Sequence, residues 1–291
     1  MDINAKDVMR LREKTGAGMM DCKEALKASN GDEEAAVEYL RKKGIAKARS
    51  KAERVAKEGS VTSFISDDGR KGSLVEINCE TDFVAKTPDF QGFVADLAQQ
   101  LNGSAREGIL EHDELSAFVL ANGKSVQDRI TELVAKLGEN ITANRAVVFF
   151  VDNGFLTNYI HLGGKLGVLV ELITEGGSEK EVQTFAKDVA MQIAAARPLV
   201  MNRTEVPQDW VEKEKEIYRE LALNEGKPAQ IVDKIAEGKL KKYFSEVCLL
   251  EQPFVKNDKV TIQEECDRVV KATSHPITIR RFARLQVGQV N

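Results

Sequence analysis

Val61-Thr62-Ser63-Phe64-Ile65, followed by Gly69-Arg70-Lys71-Gly72-Ser73-Leu74-Val75-Glu76-Ile77, is written twice in this chain. It returns 95 positions on, without a gap, as Leu156-Thr157-Asn158-Tyr159-Ile160 and Gly164-Lys165-Leu166-Gly167-Val168-Leu169-Val170-Glu171-Leu172. β-Branched and aromatic residues on either side of a Gly-containing turn are the pattern of a β-hairpin, so two related hairpins are expected. The helical stretches that follow match as well. Gln91, Phe93, Asp96, Ala98 and Gln100 correspond to Gln183, Phe185, Asp188, Ala190 and Gln192, now 92 positions apart. The repeated unit is therefore a hairpin followed by a helix, and the fold class is α+β. The first copy holds three extra residues between its second strand and its helix.

The surplus falls within Glu76-Ile77-Asn78-Cys79-Glu80-Thr81-Asp82-Phe83-Val84-Ala85-Lys86. Ser73 to Asn78 reads as a strand and Thr87-Pro88 opens a helix, which puts Thr81, Asp82, Phe83 and Val84 in a short connection. A Phe at such a place plugs a core edge as readily as it meets a partner. The second copy shifts the balance toward the partner: it has Glu175-Gly176-Gly177-Ser178 there and no aromatic residue. A side chain required to pack the repeated unit would be required twice. Phe83 beside Asp82 is thus expected to act on another molecule, from a loop held by a rigid scaffold.

Before the repeat, residues 1–44 read as three short helices. Asp7 to Lys14 breaks at Thr15-Gly16-Ala17-Gly18, and Met19 to Ala28 follows with apolar Met19, Met20, Cys22, Ala25 and Leu26. Asn30-Gly31 stops that helix, and Asp32 caps a third with an inner face of Ala35, Ala36, Val37 and Leu40, expected to end at Gly44. Residues 41–57 hold eight basic residues against Glu53 alone, the composition of a solvated helix or a tether. Binding of RNA is the sharper reading of this stretch, but it lacks the interleaved aromatic residues on which bases stack.

Beyond the first hairpin, Ser125 starts a helix with Val126, Ile130, Leu133, Val134 and Leu137 on one face, and Ala146 to Val151 reads as a buried strand. Trp210–Leu223 and Ala229–Leu249 flank Asn224-Glu225-Gly226-Lys227-Pro228. They suggest an antiparallel helical hairpin in which Trp210, Ile217 and Leu221 face Ile231, Ile235 and Phe244. Ile277 to Val287 closes the chain as one more strand. The expected division is a helical module at 1–44, a basic linker at 45–58, a first core subdomain at 59–145 and a second at 146–291. The helical hairpin occupies about 207–250 of the last unit.

The 291 residues are 42% hydrophobic and 30% charged, with a formal net charge of -4, as in globular proteins without an overall pull toward nucleic acid. Cys22, Cys79, Cys248 and Cys266 have no CxxC spacing, so reduced thiols in the cytoplasm are expected. No stretch has the length and apolarity of a membrane span, and Met1-Asp2-Ile3-Asn4 lacks the basic start of an export signal. Gly163-Gly164-Lys165 lacks the spacing of a phosphate loop, so direct nucleotide binding is not expected. His112, His161 and His275 have no metal-ligand spacing, and Glu80 with Asp82 lacks the further oxygen ligands a cation needs. Cys79, next to Glu80 and Asp82, is poorly disposed to ionise for attack. No cofactor and no chemical active site are expected; the inventory is that of a protein acting on a protein.

Leu11-Arg12-Glu13-Lys14-Thr15-Gly16-Ala17-Gly18-Met19-Met20-Asp21-Cys22-Lys23-Glu24-Ala25-Leu26 and Glu76 through Lys86 resemble the two signature segments of the bacterial translation elongation factor Ts family. The resemblance continues through the basic linker, the repeated core, the helical hairpin and Gln252-Pro253-Phe254-Val255. It implies a module like the ubiquitin-associated (UBA-like) domain followed by two related α+β subdomains. It also implies guanine nucleotide exchange on elongation factor Tu, with Thr81, Asp82, Phe83 and Val84 entering the partner's G domain and dislodging its Mg²⁺. Lys23, His161, Phe254 and Val255 are implied as further partner contacts. Some members of the family continue into another C-terminal helix, whose contacts do not carry over to a chain ending at Asn291. An RNA-associated adaptor using residues 41–57 is the alternative reading, and a Cys79 enzyme a weaker one.

Overall fold

The computed structural model describes residues 3–289; Met1 and Asp2, assigned above to the helical module, and Val290 and Asn291, assigned to the second subdomain, lie outside that range. The chain begins with α1 (Ala5–Thr15), α2 (Met19–Ala28) and α3 (Glu33–Lys51). The Asn4 side chain accepts from Asp7 N–H to start α1, and Gly16 at φ +69° ends it in the left-handed conformation that glycine takes at least cost. Val8, Leu11, Cys22, Ala25, Leu26 and Ala36 form a small core between the three helices.

Helix α3 departs from expectation. Gly44 does not end it, because this is a close approach: a Cβ at Gly44 would lie 3.1 Å from the Ala135 Cβ of a later helix. The basic stretch is therefore ordered helix through Lys51. Much of its charge is matched: Lys43 reaches Asp21 (3.0 Å) and Glu24 (2.6 Å), Lys47 reaches Asp21 (2.7 Å), and Lys42 reaches Glu38 (2.9 Å). Hydrogen bonds from Lys47 and Lys43 hold the Asp21 carboxyl below the usual carboxylate range. Of the apolar residues of α2, Met19 and Met20 face solvent, and the inner face is Cys22, Ala25 and Leu26.

The first repeat contains β1 (Glu58–Ile65), β2 (Lys71–Cys79), α4 (Asp82–Ala85), α5 (Pro88–Gly103), β3 (Gly108–Leu110), α6 (His112–Ala117), α7 (Val126–Leu137) and β4 (Ile141–Phe150). Its sheet is antiparallel in the order β1-β2-β4-β3. The second contains β5 (Phe155–Ile160), β6 (Leu166–Ile173), α8 (Lys180–Ala196), α9 (Gln208–Asn224), α10 (Ala229–Val247), β7 (Pro253–Phe254), β8 (Asn257–Thr261), α11 (Ile262–Thr273) and β9 (Thr278–Gln286). Its main sheet runs β5-β6-β9, also antiparallel. The expected division between residues 145 and 146 cuts through β4, which pairs with β2 as far as Phe150 and belongs wholly to the first sheet.

Helices α5 and α7 cover one face of the first sheet, and α8 and α11 cover one face of the second. The opposite faces meet through Val61, Leu74, Val147, Phe149, Leu156, Leu169 and Leu285. Strand β2 is consequently buried on both faces, which is why Leu74, Val75 and Ile77 read as a nearly continuous apolar run.

The duplication reaches further than the hairpin. Both second strands carry a register shift at the same repeat position, between Glu76 and Ile77 and between Glu171 and Leu172. Each buried glutamate meets an arginine of the third strand: Arg145 donates to Glu76 at 2.9 Å, and Arg281 donates to Glu171. Gly59 and Gly154, at φ +149° and +137°, sit at equivalent close approaches, where a Cβ would stand 2.2 Å and 1.9 Å from the carbonyls of Ile77 and Leu172.

Helices α9 and α10 form the expected antiparallel pair, but with a different contact face. The small Ala222 and Ala236, with Val232 and Phe244, are buried, while Trp210, Ile217, Leu221 and Ile231 are about half exposed. Among the described residues, no helix is long and apolar enough to cross a membrane.

Candidate functional site

The connection after β2 is a single helical turn rather than a plain loop. Thr81 is its N-cap, its hydroxyl oxygen accepting from Val84 N–H at 3.3 Å. The Cys79 thiol donates to the Thr81 carbonyl at 3.1 Å, the Thr87 hydroxyl donates to the Val84 carbonyl at 2.8 Å, and the Gln91 amide donates to the Ala85 carbonyl at 2.5 Å. One turn of helix must send its side chains in different directions, and here the sorting is sharp. Val84 and Ala85 enter the core, and Phe83 is 81% exposed. The expectation that Val84 faces a partner is therefore corrected: its burial secures the turn that displays Phe83.

The carboxylates near Phe83 are held by protein groups. Glu80 accepts from Asn140 N–H at 2.6 Å and faces Arg54 at 3.6 Å. Asp82 pairs with Lys86 at 2.7 Å, and this hydrogen bond, with a smaller contribution from the charge of Lys165, keeps its carboxyl below the usual range. Among the described residues, no group of three or more His, Cys, Asp or Glu is disposed to hold a metal ion. Cys79 is fully buried, and burial pushes its thiol from 9.0 up to about 12, so it stays protonated and unreactive at neutral pH.

A second loop flanks the same edge. Lys165, at the foot of the β5–β6 turn, donates to the Glu58 carboxylate at 2.5 Å and the Gly59 carbonyl at 3.0 Å. Glu58 is in turn the register partner of Cys79, so the turn and α4 lie on either side of one strand end. His161 is exposed on this turn, its Nδ1 hydrogen-bonded to the Tyr159 hydroxyl at 2.9 Å. Leu162 is 90% exposed. The sequence reading missed it because Leu-Gly-Gly passes for turn filler; the available signal was an apolar residue at a hairpin tip, where polar residues are usual.

The remaining candidates lie on other elements. Lys23 is exposed on α2, beside the exposed Met20, and has no ion-pair partner among the described residues. Phe254 is corrected from contact residue to core residue: it is 5% exposed and packs with Leu249, Ile262 and Val189. Val255 next to it is about half exposed, its N–H bonded to the Gln192 side chain at 2.8 Å.

The sequence model of the family described as Elongation factor TS matches residues 80–289, the stretch that carries α4, strands β3 and β4 of the first sheet, the whole second sheet and the helical hairpin. Elongation factor Ts of Clostridium perfringens (strain SM101 / Type A) is 50% identical over 287 residues, which cover 99% of this chain and 93% of that protein. Elongation factor Ts of Clostridium botulinum (strain Eklund 17B / Type B) is 48% identical, and that of Clostridium novyi (strain NT) 46% identical, with the same coverage. On this agreement in sequence over nearly its whole length, the chain belongs to the elongation factor Ts family.

Proposed function

We propose that this protein promotes guanine nucleotide exchange on elongation factor Tu, and that Asp82 and Phe83 are the wedge. The observation that carries this reading is an aromatic side chain 81% exposed on a turn whose other residues are capped, paired or buried. Phe83 enters an apolar pocket of the partner's G domain, and the turn with Asp82 and Thr81 disturbs the bound Mg²⁺. His161 and Leu162 support the wedge from the neighbouring turn, and Lys23 and Val255 contact the partner elsewhere.

Energetics require both halves of the wedge. Burying a Phe contributes about 1.5–3 kcal/mol, and each ~1.4 kcal/mol is a factor of ten in an equilibrium constant. A large acceleration needs more, and loss of the cation that neutralises the diphosphate supplies it. The coupling is reciprocal, so the nucleotide-free partner binds tightly and incoming nucleotide displaces the factor.

The decisive experiment loads elongation factor Tu with fluorescent GDP and chases with excess unlabelled GDP. The factor is expected to accelerate release, and the double variant Phe83→Ala with Asp82→Ala to lose most of that acceleration while remaining folded. Equal rates with the factor and with the variant would reject the wedge. The RNA-adaptor reading finds less support, because Lys42, Lys43, Lys47 and Arg54 are paired to carboxylates of the chain itself. Salt-dependent retention of RNA through residues 41–57 is accordingly not expected.

A further inference from the structure

A helix of four residues has no stability of its own, and Phe83, 81% exposed, has little buried surface to hold its direction. The direction of the wedge must come from outside α4. Three consecutive residues between α7 and β4 provide it. Glu139 grips Thr81 at both donors: one carboxylate oxygen accepts from the backbone N–H at 3.0 Å, and the other from the hydroxyl at 2.7 Å. Because the hydroxyl proton goes to Glu139, the Thr81 oxygen keeps a lone pair for Val84 N–H, which is the cap of the wedge turn.

The neighbours of Glu139 extend the hold toward the N-terminal helices. Asn140, 7% exposed, donates its backbone N–H to Glu80 at 2.6 Å and its side-chain amide to the Arg54 carbonyl at 2.7 Å. Lys51, at the end of α3, donates to the Gly138 carbonyl. The segment 138–140 therefore binds the root of the wedge on one side and the end of α3 on the other. Among the described residues, no carboxylate grips the corresponding turn of the second copy in this way.

We propose that Glu139 is a positioning residue for nucleotide exchange, aiming Phe83 through Thr81, with Asn140 joining that anchor to the segment that follows α3. The proposal rests on the wedge reading of Asp82 and Phe83. Glu139→Ala should lower the maximal rate of fluorescent-GDP release from elongation factor Tu by roughly tenfold, with half-saturating factor concentration little changed, since the interaction aims the wedge rather than gathers the partner. Glu139→Gln, which keeps the shape but turns one acceptor into a donor facing the Thr81 donors, should fall in the same direction. Amide hydrogen exchange at Val84 and Ala85 should speed up in both variants.

The test that separates aiming from general stability is the double variant. With Phe83→Ala already present, adding Glu139→Ala should change the rate by less than about twofold, because there is no wedge left to aim. Full additivity of the two, or an unchanged rate for both Glu139 variants, overturns the role of Glu139. If Phe83→Ala itself leaves release unchanged, the wedge reading fails and this inference with it, a result the single Phe83 arm distinguishes. Should Glu139→Ala not fold, Glu139→Gln carries the same comparison.

Discussion

The two copies of the hairpin unit share their strands, their bulge, their buried glutamate and their helix, and differ in what joins the second strand to the helix. In the second copy, residues 174–179 make a shorter passage, with Gly176 lying against the ring of His275 and Gly177 against Phe155. In the first, three more residues make room for a capped turn that buries Val84 and displays Phe83. The difference teaches that the surplus adds an exposed aromatic residue to a frame that closes without it. The largest predicted effect follows directly. Replacing residues 80–87 with the shorter turn 175–179 should abolish accelerated GDP release while the chain still unfolds cooperatively, losing about 1.5–3 kcal/mol for the buried Val84. Retained exchange activity in that chimera would break the comparison.

The next effect concerns what the copies share. Glu76 is fully buried and has Arg145 as its one charged partner among the described residues, helped by the Asn78 side chain and Gly288 N–H at 3.3 Å each. Glu171 is equally buried but has two arginines, Arg280 at 3.1 Å and Arg281. Arg145→Met should therefore cost about 3–5 kcal/mol in denaturant unfolding, the penalty of a buried charge left alone. Arg281→Met should cost visibly less, because Arg280 remains. Equal losses would show that the second arginine does not compensate.

The hairpin-helix repeat and the place of the surplus were legible because β-structure leaves its alternation in consecutive residues. That the two later strands, each read as a strand, take the same place beside their hairpins was not. Arg145 and Arg281 reach the same bulge from very different distances along the chain, with a helical hairpin inserted in the second copy only, and no short-range pattern records that. Gly44 was misread for a related reason: a glycine that ends a helix and one that lets a helix approach α7 look alike until Ala135 is found against it. Phe254 and Val84 show the same limit at the site, since motif membership does not say which way a side chain points. Glu139 was invisible because its partner Thr81 lies in another element.

A smaller pair of effects separates packing from function. Gln91 and Gln183, equivalent in the repeat, donate to equivalent carbonyls, Ala85 and Gly177, each at 2.5 Å. Either Gln→Ala change should cost about 1 kcal/mol of stability, the usual worth of one such bond. Only Gln91→Ala should also slow GDP release, because only Ala85 belongs to the wedge turn. Slower release with Gln183→Ala at matched stability would mean that the second copy takes part in exchange.

The smallest expected effect is at Cys79, whose repeat equivalent is Thr174. Each side chain bonds the backbone two residues on: the thiol donates to the Thr81 carbonyl, and the Thr174 hydroxyl accepts from Gly176 N–H at 3.0 Å. A hydroxyl thus serves the same place in one copy, and Cys79→Ser should leave exchange unchanged and stability within about 1 kcal/mol. The thiol has a separate signature in alkali. Burial favours its neutral form and raises it from 9.0 to about 12 in the folded chain, so the folded state holds a proton that the unfolded chain gives up earlier. That contribution to stability is complete below pH 9 and is lost as the pH rises toward 12, so the wild type should weaken more steeply than Cys79→Ser in unfolding measured across that window. A loss of exchange in a folded Cys79→Ser protein would instead restore a chemical role for the thiol, and with it the reading of this edge as a reactive site.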